Sequence, residues 1–363
     1  MQKIKNLFLA LFSIILLLTL VTLFYIWIKS PGTPERILDE HGNKLSNSIS
    51  EIIKIPVNGI DQHLIIRGQN VNKPILLLLH GGPGSPEFPF FKDKDLNLEE
   101  LFVVVHWEQR GAGKSYYDNI PKESMTIQQF VDDGAVVTEY LRSRFKQEKV
   151  YLMGHSWGSF LGVLLAHQHP NLFHSYTGIG QVAHQYLGER LSYEWVKAQA
   201  AKANNTADLA LLTDLTFPDS LASNKTWIDF IIPERDLVNK YGGGMKRKDA
   251  DMMAVYKTYI FDTPEYTISD KLNIMKGATF SIEHLWDDVL QTNLSVAVDS
   301  LAIPVHIMQG VHDYQTPYAP AKAFFDQLKA PQKRFHRFDN SAHSPFVDEP
   351  AKFNSIVKEK ILK

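Results

Sequence analysis

Hydrophobic positions along the chain follow three patterns, and each predicts a different kind of element. The first is a continuous run at the N-terminus. From Leu7 to Ile28, "LFLALFSIILLLTLVTLFYIWI" holds 22 residues without a charge, interrupted only by Ser13, Thr19 and Thr22. As a helix it spans about 33 Å, against a hydrocarbon core of about 30 Å, and it is apolar all round, unlike a surface helix. The pattern predicts an uncleaved single-pass membrane anchor over residues 1–30. A cleaved signal peptide is the alternative, but its apolar region is usually about 7–15 residues long and ends at small residues. This run ends in "YIWIKSPG". Lys3 and Lys5 precede it; Lys29 and Arg36 follow, with Glu35, Asp39 and Glu40 nearby. Acidic residues weigh little in the positive-inside rule, so the charges give only a modest orientation signal; the topology expected is N-terminus inside and the remainder extracytoplasmic.

The second pattern is a set of short aliphatic runs ended by turn residues. After a polar, Pro- and Gly-containing linker at 31–50, "EIIKIPV" and "QHLIIRG" flank "NGID", a hairpin signal. "PILLLLHGGPG" and "LFVVVHWEQRGAGKS" then run uninterrupted into glycine-rich turns, as strands buried on both faces do. "TIQQFVDDGAVVTEYLRSRF" (126–145) changes to helical spacing behind a Thr126 cap. "KVYLMGHSWGS" predicts a strand and turn, "WGSFLGVLLAHQHP" a helix stopped at Pro170, and "HSYTGIGQ" a further strand.

The third pattern occupies residues 181–297. Helical candidates such as "GERLSYEWVKAQAAKANN" and "DADMMAVYKTYIF" are joined there by polar loops including "YGGGMKRKD". Strands return with "IPVHIMQGVHD" and "KRFHRF". The economical fold is α/β: a mostly parallel sheet flanked by helices, its core in two parts at 51–180 and 298–363, interrupted by a helical cap at 181–297.

Composition narrows the function. The 363 residues carry 21% charged and 44% hydrophobic side chains and a net charge of −2, a globular balance without the basic excess of a nucleic-acid binder. With no cysteine in the chain, disulfides, thiolate metal sites and a cysteine nucleophile are excluded.

Candidate chemistry centres on "GHSWGS", Gly154 to Ser159, at the strand-to-helix junction. G-x-S-x-G alone is a weak signal, but here it has the context of a nucleophile elbow, in which a serine projects from a turn that only glycine neighbours tolerate. A serine hydroxyl needs a histidine to take its proton and a carboxylate to support that histidine. The α/β-hydrolase arrangement orders them Ser, acid, His, each beyond a strand. Asp313, after "HIMQG", and His343, in the turn "DNSAHSPF", satisfy that order for Ser156. Asp339 and Asp299 are rival acids, and His336, inside the strand pattern, is the rival histidine. "LLLLHGGPG" supplies a loop with backbone N–H groups for an oxyanion; the second donor is the N–H after the nucleophile, that of Trp157.

"HGGPG" (80–84), "EQRGAGKS" (108–115), "GHSWGS" (154–159), "GVHD" (310–313) and "AHSPF" together resemble the prolyl iminopeptidase group of α/β-hydrolases. The resemblance spans about residues 52–180 and 298–350. It implies a Ser156–Asp313–His343 triad, an oxyanion hole from Gly82 and Trp157, and a helical cap over the pocket; the chemistry of such a triad needs no cofactor. The sequence departs from the group at Glu108, where aspartate is usual, and at His155, where glycine is usual. The group reads a substrate's free amino terminus with cap acids. Glu189, Glu194, Glu283, Asp287 and Asp288 lie in the cap, but no motif aligns any of them to that role.

Other features call for simpler readings. "GAGKS" lacks the first glycine of a P-loop, its place taken by Glu108. Arg110 and Glu108 read as structural pairing residues beneath the pocket, and His80 as structural. No metal-ligand spacing occurs. Of the cap aromatics Tyr186, Tyr193, Trp195, Trp227, Tyr256, Tyr259, Phe280 and Trp286, most are expected to pack the cap and a few to line an apolar pocket. The expected function is a membrane-anchored serine hydrolase acting through an acyl-enzyme; the resemblance implies an aminopeptidase of the prolyl iminopeptidase type acting on short peptides or aminoacyl amides. A carboxylic-ester or lactone hydrolase with the same residues is the alternative, and a non-catalytic binding module on the same fold the alternative from another class.

Overall fold

The computed structural model describes residues 2–92, 95–248, 257–258 and 263–362. Helix α1 (Gln2–Ile28) is followed by an eight-stranded sheet in the order β1-β2-β4-β3-β5-β6-β7-β8. β1 (Ile49–Val57) and β2 (Ile60–Gly68) form the predicted hairpin, with Asn58 and Gly59 both at positive φ in the two-residue turn. β2 also pairs antiparallel with β4 (Val103–Glu108). From β4 onward, through β3 (Ile75–Leu79), β5 (Val150–His155), β6 (Phe173–Ile179), β7 (Val305–Gly310) and β8 (Lys333–Phe338), every pairing is parallel.

Every residue of β3, β4, β5 and β7 is buried, which is why these strands read as unbroken aliphatic runs. Helices cover the sheet: α2 (Ile127–Phe145), α3 (Trp157–Gln168) and, later, α8 (Tyr318–Gln327) and α9 (Pro350–Ile356). Thr126 caps α2 as expected, its hydroxyl accepting from Gln129 N–H at 3.2 Å. Arg110 makes a bidentate pair with Asp133 of α2, at 2.8 and 3.0 Å, while Glu108 accepts from the Tyr266 hydroxyl and the Lys114 N–H.

Between β6 and β7 the described residues are helical: α4 (Gln185–Lys202), α5 (Thr206–Asp214), α6 (Asn224–Lys240) and α7 (Ile268–Gln291). Tyr186, Tyr193, Phe217, Trp227 and Phe230 pack edge-on and tilted against each other, giving the insertion its own aromatic core. The helix expected over 249–261, with Tyr256 and Tyr259, lies outside the described residues apart from 257 and 258. α7 starts with a reciprocal capping box of Thr267 and Asp270, and Asp270 also takes the Lys114 ammonium at 2.6 Å, fixing the start of α7 to the turn after β4.

The polar segment 31–50 is tied to the domain instead of hanging free. Gly32 and Thr33 both donate to Pro264 O, at 2.9 and 3.2 Å, and Lys92 bridges Glu35 and the fully buried Glu265. Backbone bonds of this kind leave no trace in residue type, so the composition of the segment shows only its polarity.

Candidate active site

Ser156 sits between β5 and α3 with φ 53° and ψ −121°, a conformation that side chains rarely adopt. The flanking glycines make it affordable to the packing. A Cβ on Gly154 would strike Gly158 O, and one on Gly158 would strike Leu79 O. Ser156 N–H donates to Ile179 O at 2.9 Å, and Ser159 Oγ donates to Ser156 O at 2.6 Å while accepting from Val182 N–H. The turn is thus braced from β6 and from α3.

The loops after β7 and β8 bring Asp313 and His343 together. His343 Nδ1 lies 2.9 Å from Asp313 Oδ2, and both residues are almost fully buried. Asp313 Oδ1 accepts the Gln315 and Thr316 N–H groups at 2.9 Å, and Oδ2 accepts from Gln309 Nε2 and Thr316 Oγ1. A carboxylate holding this many donors is fixed in orientation, and so is the ring facing it. The rivals stand elsewhere. Asp339 is exposed and paired with Arg337, Asp299 is exposed beside Lys329, and His336 stacks on His306 across neighbouring strands.

The His343 ring lies against Gly180, the residue after Ile179, and 4.6 Å from the ring of His155, the residue before Ser156. His155 is a member of the site that residue patterns did not assign. Its Nε2 donates to His343 O at 3.0 Å, and its Nδ1 is 2.7 Å from Glu87 Oε1. Glu87 Oε2 accepts Gly81 N–H at 3.0 Å, so one carboxylate links the HGGPG loop to the elbow. Burial of His155 disfavours its charge, but the charge and hydrogen bond of Glu87 outweigh this and raise its pKa. His80 is structural: Nδ1 donates to Gly81 O, Nε2 accepts from Gln109 N–H, and burial lowers its pKa.

Ser156, Gly82, Trp157 and Thr316 face a cavity of about 360 Å³. Its wall is apolar and comes largely from α6 and α7, through Ile228, Ile231, Met275, Ile282, Trp286 and Val289. Trp286 is the one of the expected aromatics that lines it among the described residues; Trp195 stacks on Tyr314 instead. Arg235 also faces the cavity, and its guanidinium holds two fully buried acids, Glu189 at 2.5 Å and Glu234 at 2.6 Å. Glu194, Glu283, Asp287 and Asp288 are absent from the lining. Glu234 and Arg235 escaped the sequence reading because their partner Glu189 lies on another helix, and no local pattern joins them. The "YGGG" loop of the insertion reaches the same place: Gly243 O accepts Tyr314 N–H at 2.8 Å and Gly244 O accepts His343 N–H at 3.0 Å.

A parallel sheet with a serine elbow after one strand, and an acid and a histidine on later loops, defines a hydrolase of the α/β class. Residues 74–350 match the family described as alpha/beta hydrolase fold, and the chain belongs to that family, in its proline iminopeptidase-like group. Its sequence is 34% identical over 306 residues to a probable aminopeptidase, YbaC, of Bacillus subtilis, covering 84% of this chain and 94% of that protein. It is 26% identical over 317 residues to a proline iminopeptidase of Lactobacillus acidophilus, covering 84% and 96%. The crystal structure of a Mycobacterium smegmatis proline iminopeptidase superposes with a TM-score of 0.61 at 20% identity, over 86% of this chain and 97% of that one. At that identity the likeness shows the fold. Among the described residues one helix, Lys3–Ile28, is long and apolar enough to cross a membrane, a test that an N-terminal signal sequence also passes.

Proposed function

We propose that the chain is a membrane-anchored serine hydrolase that works through an acyl-enzyme, with Ser156 as nucleophile, His343 as general base and acid, and Asp313 as the group orienting His343. The observation that carries this reading is the buried His343–Asp313 pair at 2.9 Å beside a serine held at positive φ. Ser156 Oγ attacks the substrate carbonyl carbon as His343 takes its proton. The N–H groups of Gly82 and Trp157 receive the developing oxyanion, and their residues line the same cavity as Ser156. Collapse breaks the bond to the leaving group, which takes the proton from His343. Water, deprotonated by His343, then adds to the acyl carbon, and the acid leaves as Ser156 regains its proton.

In this reading residues 1–30 anchor the protein, 31–50 link, 51–180 and 298–363 form the core, and 181–297 form a cap over the cavity. The partners are a small or short-peptide substrate and a lipid bilayer, with no nucleic acid. The catalytic domain is extracytoplasmic; protease treatment of intact cells should degrade it, and complete protection would reverse the topology. The names of the relatives favour an aminopeptidase acting on short peptides. The cavity lining favours a second reading, a carboxylic-ester or lactone hydrolase: among the described residues no carboxylate lines the cavity to receive a substrate ammonium, because Glu189 and Glu234 lie outside the lining and are held by Arg235.

Proline-arylamide, its N-acetyl form and a short-chain aryl ester, given to the full chain in detergent, separate the two. Amide turnover abolished by acetylation marks the aminopeptidase, and ester turnover alone marks the esterase. Ser156→Ala should lower kcat on the order of 10⁶-fold on whichever substrate turns over. A loss under tenfold, or no labelling of Ser156 by a fluorophosphonate, would remove the nucleophile assignment.

A further inference from the structure

The membrane helix and the cavity are joined by a single face of α7. Ile268, Leu272, Met275, Thr279, Ile282, Trp286 and Val289 recur at alternating spacings of four and three, which places them on one stripe of the helix. The distal part of the stripe, from Met275 to Val289, lines the cavity that holds Ser156. The proximal part is apolar and open to solvent: Leu272 is 62% exposed and Met275 59%, with Ile268 one turn before Leu272 and Ile232 of α6, 61% exposed, also at the cavity. Met275 belongs to both parts, so the stripe passes without a break from the outer surface to the interior.

The exposed end of the stripe is fixed beside the end of α1. Lys271, on the border of the stripe, donates to Ser30 Oγ at 2.8 Å, two residues beyond the last residue of α1. Ser30 itself is buried, and Gly32 packs against Thr267, the cap of α7. Tyr25 and Trp27 end the apolar run of α1 and Lys29 follows it, as residues at a lipid–water boundary do. From Ile268 to Met275 is about 10 Å along the helix axis. A bilayer crossed by α1 therefore meets the domain at Leu272 and Ile268, with the cavity mouth at Met275 close above it.

We infer that the α7 stripe is a bilayer-docking surface through which the active site takes an amphiphilic carboxylic ester or amide from the membrane, its apolar chain lying along α7 and its carbonyl reaching Ser156. The inference rests on the proposed anchor and nucleophile and adds the source and class of the substrate. Exposed leucine, isoleucine and methionine side chains lose unfavourable contact with water on entering the interface, and the tether holds them there without cost of search.

Because the chain has no cysteine, one introduced thiol reports on one position. Full-length Leu272→Cys and Val296→Cys, each carrying an environment-sensitive fluorophore, would be placed in vesicles containing spin-labelled lipid. Val296 is 81% exposed and follows the far end of α7, about 35 Å along the axis from Ile268. Strong quenching at 272 with little at 296 is the expected result. Equal quenching at both, or none at 272 in protein that floats with the vesicles, would overturn the inference. Failure to float would remove the anchor, and the inference with it. As a second arm, Leu272→Asp should lower turnover of a bilayer-held long-chain aryl ester at least tenfold and leave a soluble short-chain aryl ester within twofold. Equal effects on the two esters would overturn the route from the membrane. No turnover of either ester by the unaltered chain would overturn the inferred substrate where a fluorophosphonate labels Ser156, and where it does not would fault the nucleophile and leave the quenching result to decide docking.

Discussion

His155 Nε2 donates to the backbone carbonyl of His343 at 3.0 Å, so the residue preceding the elbow serine holds the loop that carries the histidine. Glu87 completes the connection, bonded to His155 on one oxygen and to Gly81 N–H on the other. The geometry separates charge from shape. In Glu87→Gln the amide nitrogen can donate to a neutral His155 Nδ1 and the amide oxygen can still accept from Gly81. That variant should keep its fluorophosphonate labelling rate within about threefold and its stability within about 1 kcal/mol. His155→Ala should cost about 3 kcal/mol in urea unfolding, because it strips the partly buried Glu87 of its charged partner, and should slow labelling more than tenfold. Equal behaviour of the two variants would show that the connection positions nothing.

Asp313→Asn tests the orientation of His343. Asp313 accepts from Gln309, Gln315 and Thr316 in addition to facing His343, so no side is free for an amide NH₂. The amide must meet a donor or leave His343 in the wrong tautomer. A fall in kcat on the order of 10⁴ is expected, with KM little changed. A fall under tenfold would move the acid's role to another residue.

What was legible in the sequence was what steric exclusion or burial imposes locally. Strands buried on both faces, such as Ile75–Leu79, must be aliphatic at every position, and the approach of Gly158 to Leu79 O leaves no other residue possible. Asp313 and His343 were legible because each follows a strand in a fixed order. Contacts between distant segments were not. Glu87 and His155 are 68 positions apart, and Lys271 reaches Ser30 across 241, without any spacing to mark them. The pairing of Arg110 with Asp133 was hidden in the same way, by a helix whose polar residues all look alike in sequence.

Removing the Arg235 guanidinium should turn the insertion into a pH-sensitive element. Glu189 and Glu234 are fully buried, and burial already raises the pKa of Glu234 against the pull of Arg235. In Arg235→Met both carboxylates lose their counter-charge, at a cost of about 3–5 kcal/mol at pH 8. The folded-state pKa of Glu234 then rises further above its unfolded value. Protonation therefore favours the fold, and the lost stability should return as pH falls toward 5. Urea midpoints at pH 8 and pH 5 check this; a deficit of the same size at both would mean that packing, not charge, is what Arg235 supplies.

Acid should act in the opposite direction through His106. Burial, with the Arg67 charge adding to it, lowers the pKa of this β4 histidine to about 3, and its ring meets Phe88 edge-on at 4.9 Å. The folded state keeps the ring neutral while the unfolded chain takes up a proton near pH 6.5. Stability from this group is therefore complete above pH 6.5 and declines as pH falls toward 3, by on the order of 3 kcal/mol at pH 4. Other groups titrate in the same range: His155 and Glu108, the latter pushed up to about 7 by burial, favour the fold as pH falls, and half-buried His336, lowered to about 4, opposes it. The comparison must cancel them. Urea unfolding of the full chain and of His106→Asn, measured side by side from pH 7.5 to 4, isolates the contribution. His106→Asn is expected to be less stable than the parent at pH 7.5 and to close the gap as pH falls. Parallel curves over that range would mean that His106 is protonated in the folded protein, with Arg67 or its surroundings relaxing to accept the charge.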